Sequence, residues 1–299
     1  MNVYATVDEL KEFMQGGLEV QVEEADDSLL KKFCIKASRM FDSWATNGVP
    51  PTRRFYPQIA TKDYDHPSDC VTELRLFDDL LEATTLTTEN GATSILASDY
   101  VLATAKGDYN RTPYTQVILV EDATVAQFSY SGTVRKANAL TGIWGYHNEW
   151  ADAWEDSGDS VQDDPLADSA TTITVNDVDG DDINGLPVRF KVQQLLRIED
   201  EYVWITDVDP TAETLTVRRG MNGSDAASHV KDKAIEIFRP MNDLKFAIEA
   251  LVKYLYKRRA TIGSAEDRPL ATADGILVLP NRLPDEVTLN LRSYRKEGL

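Results

Sequence analysis

Apolar residues recur at helical spacing in the first part of the chain. Residues 6–9, Thr-Val-Asp-Glu, fit a capping box and predict a short helix. A stronger helix is predicted to begin at Asp26 or Asp27 and to end before Asn47, since its apolar residues share one face. That face includes Cys34, so we predict a buried thiol with a packing role.

The helical pattern returns near the carboxyl end. After Pro240, apolar residues from Leu244 to Leu255 form one stripe and predict a long helix. The front helices and this helix each present an apolar face that needs a partner, so we expect them to pack on each other. The tail beyond Gly263 carries a short apolar run, followed by a possible helical turn or two near Tyr294.

Between these helices the sequence has the pattern of short strands. Residues 50–148 predict a mixed β insertion, in which strand-like runs are separated by turn formers such as Asn90-Gly91. Residues 170–239 predict a small β-rich domain closed as a meander or barrel. Strands this short cannot bury an apolar face alone, so we expect them to pair with each other and to pack against the helices.

Negative charge is concentrated where the two β-rich regions meet. Twelve Asp and Glu residues lie between Glu149 and Asp182, and no Lys or Arg occurs from Ala137 to Val188. Because little apolar sequence anchors residues 149–169, we predict an exposed acidic loop there.

Together these elements predict an α+β fold. Residues 1–49 and 240–299 would form a helical base with a C-terminal tail, built from the N-terminal helices and a long C-terminal helix. The β-rich segments would be insertions between the two halves of that base, including a small antiparallel meander or barrel.

Composition narrows the function. Fifty Asp and Glu against 31 Lys and Arg give a net charge of -19, and a surface this negative argues against a protein that reads nucleic-acid sequence. Cys34 and Cys70 are too few for a disulfide framework, and no apolar secretion signal or membrane span is present in the sequence. We expect synthesis in the cytoplasm.

No catalytic, cofactor-binding or metal motif is found. Alternating carboxylates from Asp177 resemble the start of a calcium loop, but Asp182 stands where that loop needs glycine and Val188 where it needs glutamate. The three histidines are far apart in sequence and lack metal-ligand spacing: His66, His147 and His229. We therefore predict an acidic turn, no cofactor, no metal and no enzymatic activity.

Two aromatic groups are candidate contacts. One would form either a sugar-stacking platform or an anchor for the ends of the acidic segment, and we favour the anchor. Its members are Trp144, Tyr146, Trp150 and Trp154. Residues 53–56, Arg-Arg-Phe-Tyr, are equally a contact for a partner or a solvated loop.

The order of several phrases suggests a family. Two front helices are followed by DYVL at 99–102, PYTQVIL at 113–119 and LTGIWGY at 140–146, and the chain closes with LPNRLPDEV at 279–287. Together with a helix from Asp243 to Arg259, this succession resembles tailed-bacteriophage head-tail connector proteins, also called adaptor or head-completion proteins.

A second likeness lies in the later β-rich region. Residues 196–229, which include RRGMNGS at 218–224 and His229, are similar to a β-module that recurs in phage structural proteins. This resemblance implies that His229 is a turn residue and not a catalyst. The two β-rich insertions and the acidic segment depart from the small connectors, which are often mainly helical.

The resemblance implies a homo-oligomeric ring, usually a dodecamer, in the neck of a virion. It would sit beneath the portal protein and meet a stopper, tail-completion or tail-tube protein, with genomic DNA passing through without sequence-specific binding. Channel carboxylates would repel phosphates and let DNA slide, although the acidity is equally explained by solubility.

The mechanism predicted here is docking without catalysis, with the tail adding to a partner by extended pairing or apolar burial. Deletion after Gly263 is expected to leave a folded monomer that no longer binds the portal. The predicted partner-binding residues are Ile276, Leu277, Val278, Leu279, Leu291, Tyr294, Arg295, Arg53 and Arg54. Two alternatives remain: a carbohydrate-binding or hydrolytic tail component built on the β-rich half, and a cellular scaffold protein.

Overall fold

The chain divides into two units. The computed structural model describes residues 2–15, 26–45, 53–185, 188–257, 270–271, 277–278 and 285–295. The first, here called the helical unit, comprises Met1–Thr52, Lys191–Gln194 and Asn242–Leu299. The second, here called the β unit, comprises Arg53–Phe190 and Leu195–Met241.

Four helices lie among the described residues of the helical unit. They are α1 (Val7–Gln15), α2 (Asp27–Trp44), α3 (Asn242–Lys257) and α4 (Asp285–Ser293). The capping box predicted before α1 is confirmed: the Thr6 amide donates to Glu9 Oε2 at 2.8 Å, and the Glu9 amide donates to Thr6 Oγ1 at 3.3 Å. These two bonds satisfy amides that the first helical turn leaves unpaired.

The core of the helical unit follows from the helical periodicity. Residues three and four positions apart on α2 share its buried face: Leu30, Cys34, Ala37 and Phe41. The buried Cys34 thiol is confirmed, and burial raises its pKa to about 12. Helices α2 and α3 pack on each other, as predicted, and α4 packs on α3.

The first sheet of the β unit has six antiparallel strands. They are β1 (Gln58–Tyr64), β2 (Glu73–Thr88), β3 (Thr93–Ile95), β4 (Tyr100–Ala103), β5 (Tyr114–Leu119) and β6 (Asn138–Trp144). Their order is β1-β6-β2-β5-β4, with β3 paired to β2. The 16-residue β2 is the central strand, because it pairs with β3, β5 and β6. One face buries an apolar cluster that includes Leu80, Leu140 and Trp144.

The second sheet also has six antiparallel strands. They are β7 (Trp154–Ser160), β8 (Thr172–Thr174), β9 (Leu195–Ile198), β10 (Glu201–Asp209), β11 (Thr214–Arg218) and β12 (Ala234–Phe238). The order is β7-β12-β9-β10-β11-β8. Just after β7, the Gln162 amide donates to the Thr174 carbonyl at 2.8 Å and so links the chain to β8. The sheet has an apolar core of its own, which includes Leu196, Val203 and Ile235.

In the tail, two short strands pair antiparallel: β13 (Leu270–Ala271) and β14 (Leu277–Val278).

The predicted fold class is wrong. We expected an α+β fold on a helical base with a long C-terminal helix, but the described chain is mostly antiparallel sheet. Its two six-stranded sheets outweigh four helices of 9, 18, 16 and 9 residues. The reason is that the short strands pair over long sequence distances and enclose two apolar clusters of their own. They form complete sheets and do not behave as insertions that depend on helices.

The expected loop at residues 149–169 also contains regular structure. Strand β7 occupies Trp154–Ser160 and pairs with β12, while Val161 and Leu166 are buried in the core of the second sheet. A polar strand of this kind is specified by the backbone hydrogen bonds of its neighbour, which a local hydrophobic pattern does not reveal.

Candidate functional site

The two arginines predicted to contact a partner have different surroundings. The Arg53 guanidinium donates to both carboxylate oxygens of Asp79, from Nε at 2.9 Å and from Nη2 at 3.3 Å, and lies 4.2 Å from the centre of the Tyr146 ring. The two side chains are 10% and 5% exposed, so this ion pair belongs to the interior. Arg54 is exposed, and its carbonyl accepts the Tyr146 amide at 2.7 Å. Of the two, Arg54 is open to a partner.

The tail residues are described only in part. Ile276 and Leu279 lie outside the described residues, Leu277 and Val278 form β14, and Leu291 lies within α4. Tyr294 is buried, at 3% exposed, whereas Arg295 is exposed. Val287, on α4, is fully buried. Val287 and Tyr294 therefore contribute to the core of the helical unit, and the predicted contact of the tail with a partner remains a prediction.

The aromatic group does not form a single open platform. Trp144 is 3% exposed, its Nε1 donates to the Ala60 carbonyl at 2.8 Å, and Lys62 Nζ lies 4.3 Å from its ring centre. Trp154 stacks on Tyr202 of β10 with the ring centres 5.3 Å apart. Both tryptophans thus join one strand to another, and an anchoring role for the ends of the acidic segment remains a prediction.

The later β-module contains a buried ion cluster. The Arg219 guanidinium binds the Glu201 carboxylate through two bonds of 2.6 Å, and the two side chains are 6% and 1% exposed. His229 places one ring nitrogen 2.9 Å from Glu201 Oε2 and the other 2.8 Å from Glu199 Oε2.

Every group in this cluster is occupied by bonds within the β unit. Arg219 also donates to the carbonyls of Ala167 and Ala227, and the amides of Gly220 and Ala227 donate to the Glu201 carboxylate. Burial alone would raise the pKa of Glu201, but Arg219 and the Ala227 amide lower it by more, so the net pKa is below the usual value. Such a satisfied network fixes the positions of the loops that it joins. The resemblance implied only a turn role for His229. The structure shows in addition that this side chain is buried and hydrogen-bonded to two carboxylates.

A second buried acid organises the acidic segment. The side chain of Asp159 is fully buried and accepts the amides of Asn176 and Asp177 at 3.0 and 2.9 Å. Arg189 Nη1 donates to the same carboxylate at 3.0 Å. Burial would raise the pKa of Asp159, but the surrounding amide donors lower it by more, so the net pKa is below its usual value.

Most of the remaining acids in that segment point to solvent. Of the twelve acidic residues between Glu149 and Asp182, eight are exposed: Glu149, Asp152, Asp156, Asp164, Asp168, Asp177, Asp179 and Asp181. The segment thus exposes most of its carboxylates, while hydrogen bonds to the buried Asp159 hold its backbone in place. Exposed carboxylates of this number repel phosphate groups.

The sequence analysis missed a surface on α2. Lys32, Lys36 and Arg39 are all exposed, and their spacing of four and three residues places them on one side of the helix. Lys31 lies at the edge of this side, and the four cations form the surface that we call the basic face. The sequence signal for this surface is the helical spacing of these four cations.

A metal site requires several His, Cys, Asp or Glu side chains close together. Within the described ranges, no group of three or more His, Cys, Asp or Glu side chains is placed to hold a metal ion. His66 Nε2 lies 3.1 Å from the Phe128 carbonyl and His147 Nε2 lies 3.1 Å from that of Arg239. Burial lowers the pKa of His147.

Comparisons with known proteins give no family for the chain. No protein-family model matches it, and neither curated proteins nor solved structures give a match. Across the part of the chain that the structure describes, no helix combines the length and the apolar character that a membrane span requires.

Proposed function

We propose that this chain is a non-enzymatic structural protein of a phage virion. It assembles into a ring, of twelve copies in the form that the sequence resemblance implies, which joins the portal of the head to the tail and leaves a channel for DNA. It is made in the bacterial cytoplasm and resides in the virion neck.

The observation that carries this proposal is the exposed acidic surface of the β unit. Eight carboxylates face solvent in a segment where no Lys or Arg occurs from Ala137 to Val188. A wall of this charge repels the DNA backbone, so a genome can slide past it without adhering. The surface supports a conduit better than it supports a nucleic-acid binding site.

The polar clusters of the β unit support a structural role. The bonds around Glu201 and Asp159 join segments that are distant in sequence, which rigidifies a wall. The partners follow from the resemblance: further copies of this chain, the portal protein, and a stopper, tail-completion or tail-tube protein.

A capture experiment tests the proposal. The full chain is passed over immobilised portal rings from the same genome, and over a glycan array in parallel. We expect retention on the portal and none on the glycans. Retention on glycans together with loss of portal binding would favour the carbohydrate-binding tail component and contradict the connector.

A further inference from the structure

The basic face of α2 gathers four exposed cations of the helical unit on one helix. Three other lysines there are paired: Lys11 with Asp27 at 2.7 Å, Lys191 with Glu12 at 3.5 Å and Lys245 with Glu9 at 2.6 Å. None of the four cations on the basic face forms an ion pair with any residue that the structure describes. The face thus carries uncompensated positive charge on a chain whose net charge is -19.

This arrangement is unfavourable for an isolated helix. Lys32 and Lys36 stand four residues apart, where like charges repel and destabilise the helix. The opposite side of α2 is buried in the helical unit, and no described residue covers the basic face, whose cations are all exposed. Half-buried Ile35 lies beside the cations and adds an apolar element.

A complementary surface is present in the β unit at residues 177–182, which we call the acidic turn. The Gly180 amide donates to Asp177 Oδ1 at 2.8 Å, and the Gly180 carbonyl accepts the Arg189 amide at 2.9 Å. The Arg189 side chain donates to the carbonyls of Asp177 and Asp181, both at 3.1 Å. These bonds fix the backbone of the acidic turn.

Two carboxylates of the acidic turn, those of Asp179 and Asp181, carry uncompensated charge. Within this site the guanidinium of Arg189 bonds the Asp159 carboxylate and two backbone carbonyls. The side chains of Asp179 and Asp181 are exposed, and neither forms an ion pair with a described residue. Ile183, 59% exposed, follows directly and supplies an apolar contact. A preformed turn of this kind loses little conformational freedom on binding.

We infer that the basic face of one copy binds the acidic turn of the next copy. The two surfaces lie at different places on the same chain, so the contact is head-to-tail, and repetition of a head-to-tail contact closes a ring when the rotation permits. This inference rests on the proposed ring and names the surfaces that join its subunits. Duplex DNA is the other polyanion that a basic face could bind, but the net charge of the chain disfavours it.

A charge-swap experiment tests the contact. One variant carries Lys32→Glu and Lys36→Glu, and the other carries Asp179→Lys and Asp181→Lys. Each variant alone opposes like charges across the contact, so we expect self-association to weaken by about tenfold or more. In an equal mixture each contact pairs opposite charges again, and alternating rings should form in sedimentation velocity runs.

A matched control changes the same charge elsewhere. Lys106→Glu with Arg111→Glu alters two exposed cations of the β unit and should assemble like the native chain. A second variant, Gly180→Ala, leaves the charge intact but would place a Cβ against the Asp177 carboxylate. That side chain must then rotate away and release the Gly180 amide, so we expect a looser acidic turn and weaker assembly.

The outcomes separate the inference from the proposed function. If the native chain forms rings and both charge variants do so as well, the contact is overturned. It is also overturned if both variants fail to assemble and mixing does not restore rings. Neither result contradicts the ring itself. No assembly of the native chain, alone or with its portal, would contradict the ring itself. DNA retention that is lost in the Lys32→Glu, Lys36→Glu variant while its rings persist would assign the basic face to nucleic acid and overturn the contact.

Discussion

Glu249 is a buried acid in the helical unit, and its ionisation opposes folding. It lies on α3 and is 7% exposed. Burial raises its pKa from 4.5 to about 7, with Glu9 and Glu12 adding to the rise and Lys245 opposing it. The negative charge of Glu249 also contributes to the raised pKa of the Cys34 thiol on α2, after the larger effect of burial.

Replacement of Glu249 by glutamine should change the pH dependence of stability. In the native chain the folded state binds more protons than the unfolded state between pH 4.5 and about 7, so stability falls as the pH rises through that window. We expect Glu249→Gln to be more stable than the native chain by about 1–2 kcal/mol at pH 8, after allowance for solvent screening, and nearly equal to it at pH 4. Urea unfolding at the two pH values measures this, and a difference independent of pH would show that Glu249 is not the titrating group.

Residue-level properties were predictable where they depended on near neighbours. The burial of Cys34 follows from helical spacing, and the Thr6–Glu9 capping box spans four residues. The burial of His229 was not predictable, because its partners Glu199 and Glu201 are 30 and 28 residues away. Such contacts exist only after β9, β10 and the following turns have come together.

Among the elements, α4 provides a clear separation of buried and exposed faces. Val287 is fully buried and Leu289, two residues later on the same helix, is 63% exposed. This changes the expected effect of deletion after Gly263, because the deletion removes part of the helical unit's core as well as the proposed portal contact.

Substitutions in α4 measure that contribution without truncation. Val287→Ala removes buried methyl groups and should lower the free energy of unfolding by about 1–3 kcal/mol, whereas Leu289→Ala should change it by about 0.5 kcal/mol or less. Urea unfolding of the two variants provides the comparison. Equal stabilities would mean that α4 does not pack on the helical unit as described.

Helices and strands differed in how well the sequence predicted them. The apolar periodicity of α2 and α3 spans 18 and 16 residues, enough to fix both existence and type. Strand β7 has the sequence WEDSGDS, which carries no alternating apolar pattern, and is defined by its pairing with β12. The same physical difference explains the wrong fold class, since sheets depend on long-range pairing that a local pattern does not contain.

At the scale of the whole molecule, charges of opposite sign are exposed on two described surfaces, one in each unit. Exposed acids dominate part of the β unit, while the basic face of α2 in the helical unit is positive. A chain that offers both signs at separate places can repeat a contact with its own copies, and the acidity that remains can face a DNA channel. Composition predicted the negative charge, but only the structure shows which carboxylates reach solvent.

The mass and symmetry of the native assembly test this account most directly. Negative-stain class averages of the purified chain, with and without its portal, combined with native mass spectrometry, give both quantities. The account predicts closed rings with an open central channel and about twelve copies of this chain in each ring. The copy number is the measured mass divided by the chain mass, after the mass of the portal is subtracted from that of the complex. A particle that stays at the mass of one chain, 33.4 kDa, under both conditions would contradict it.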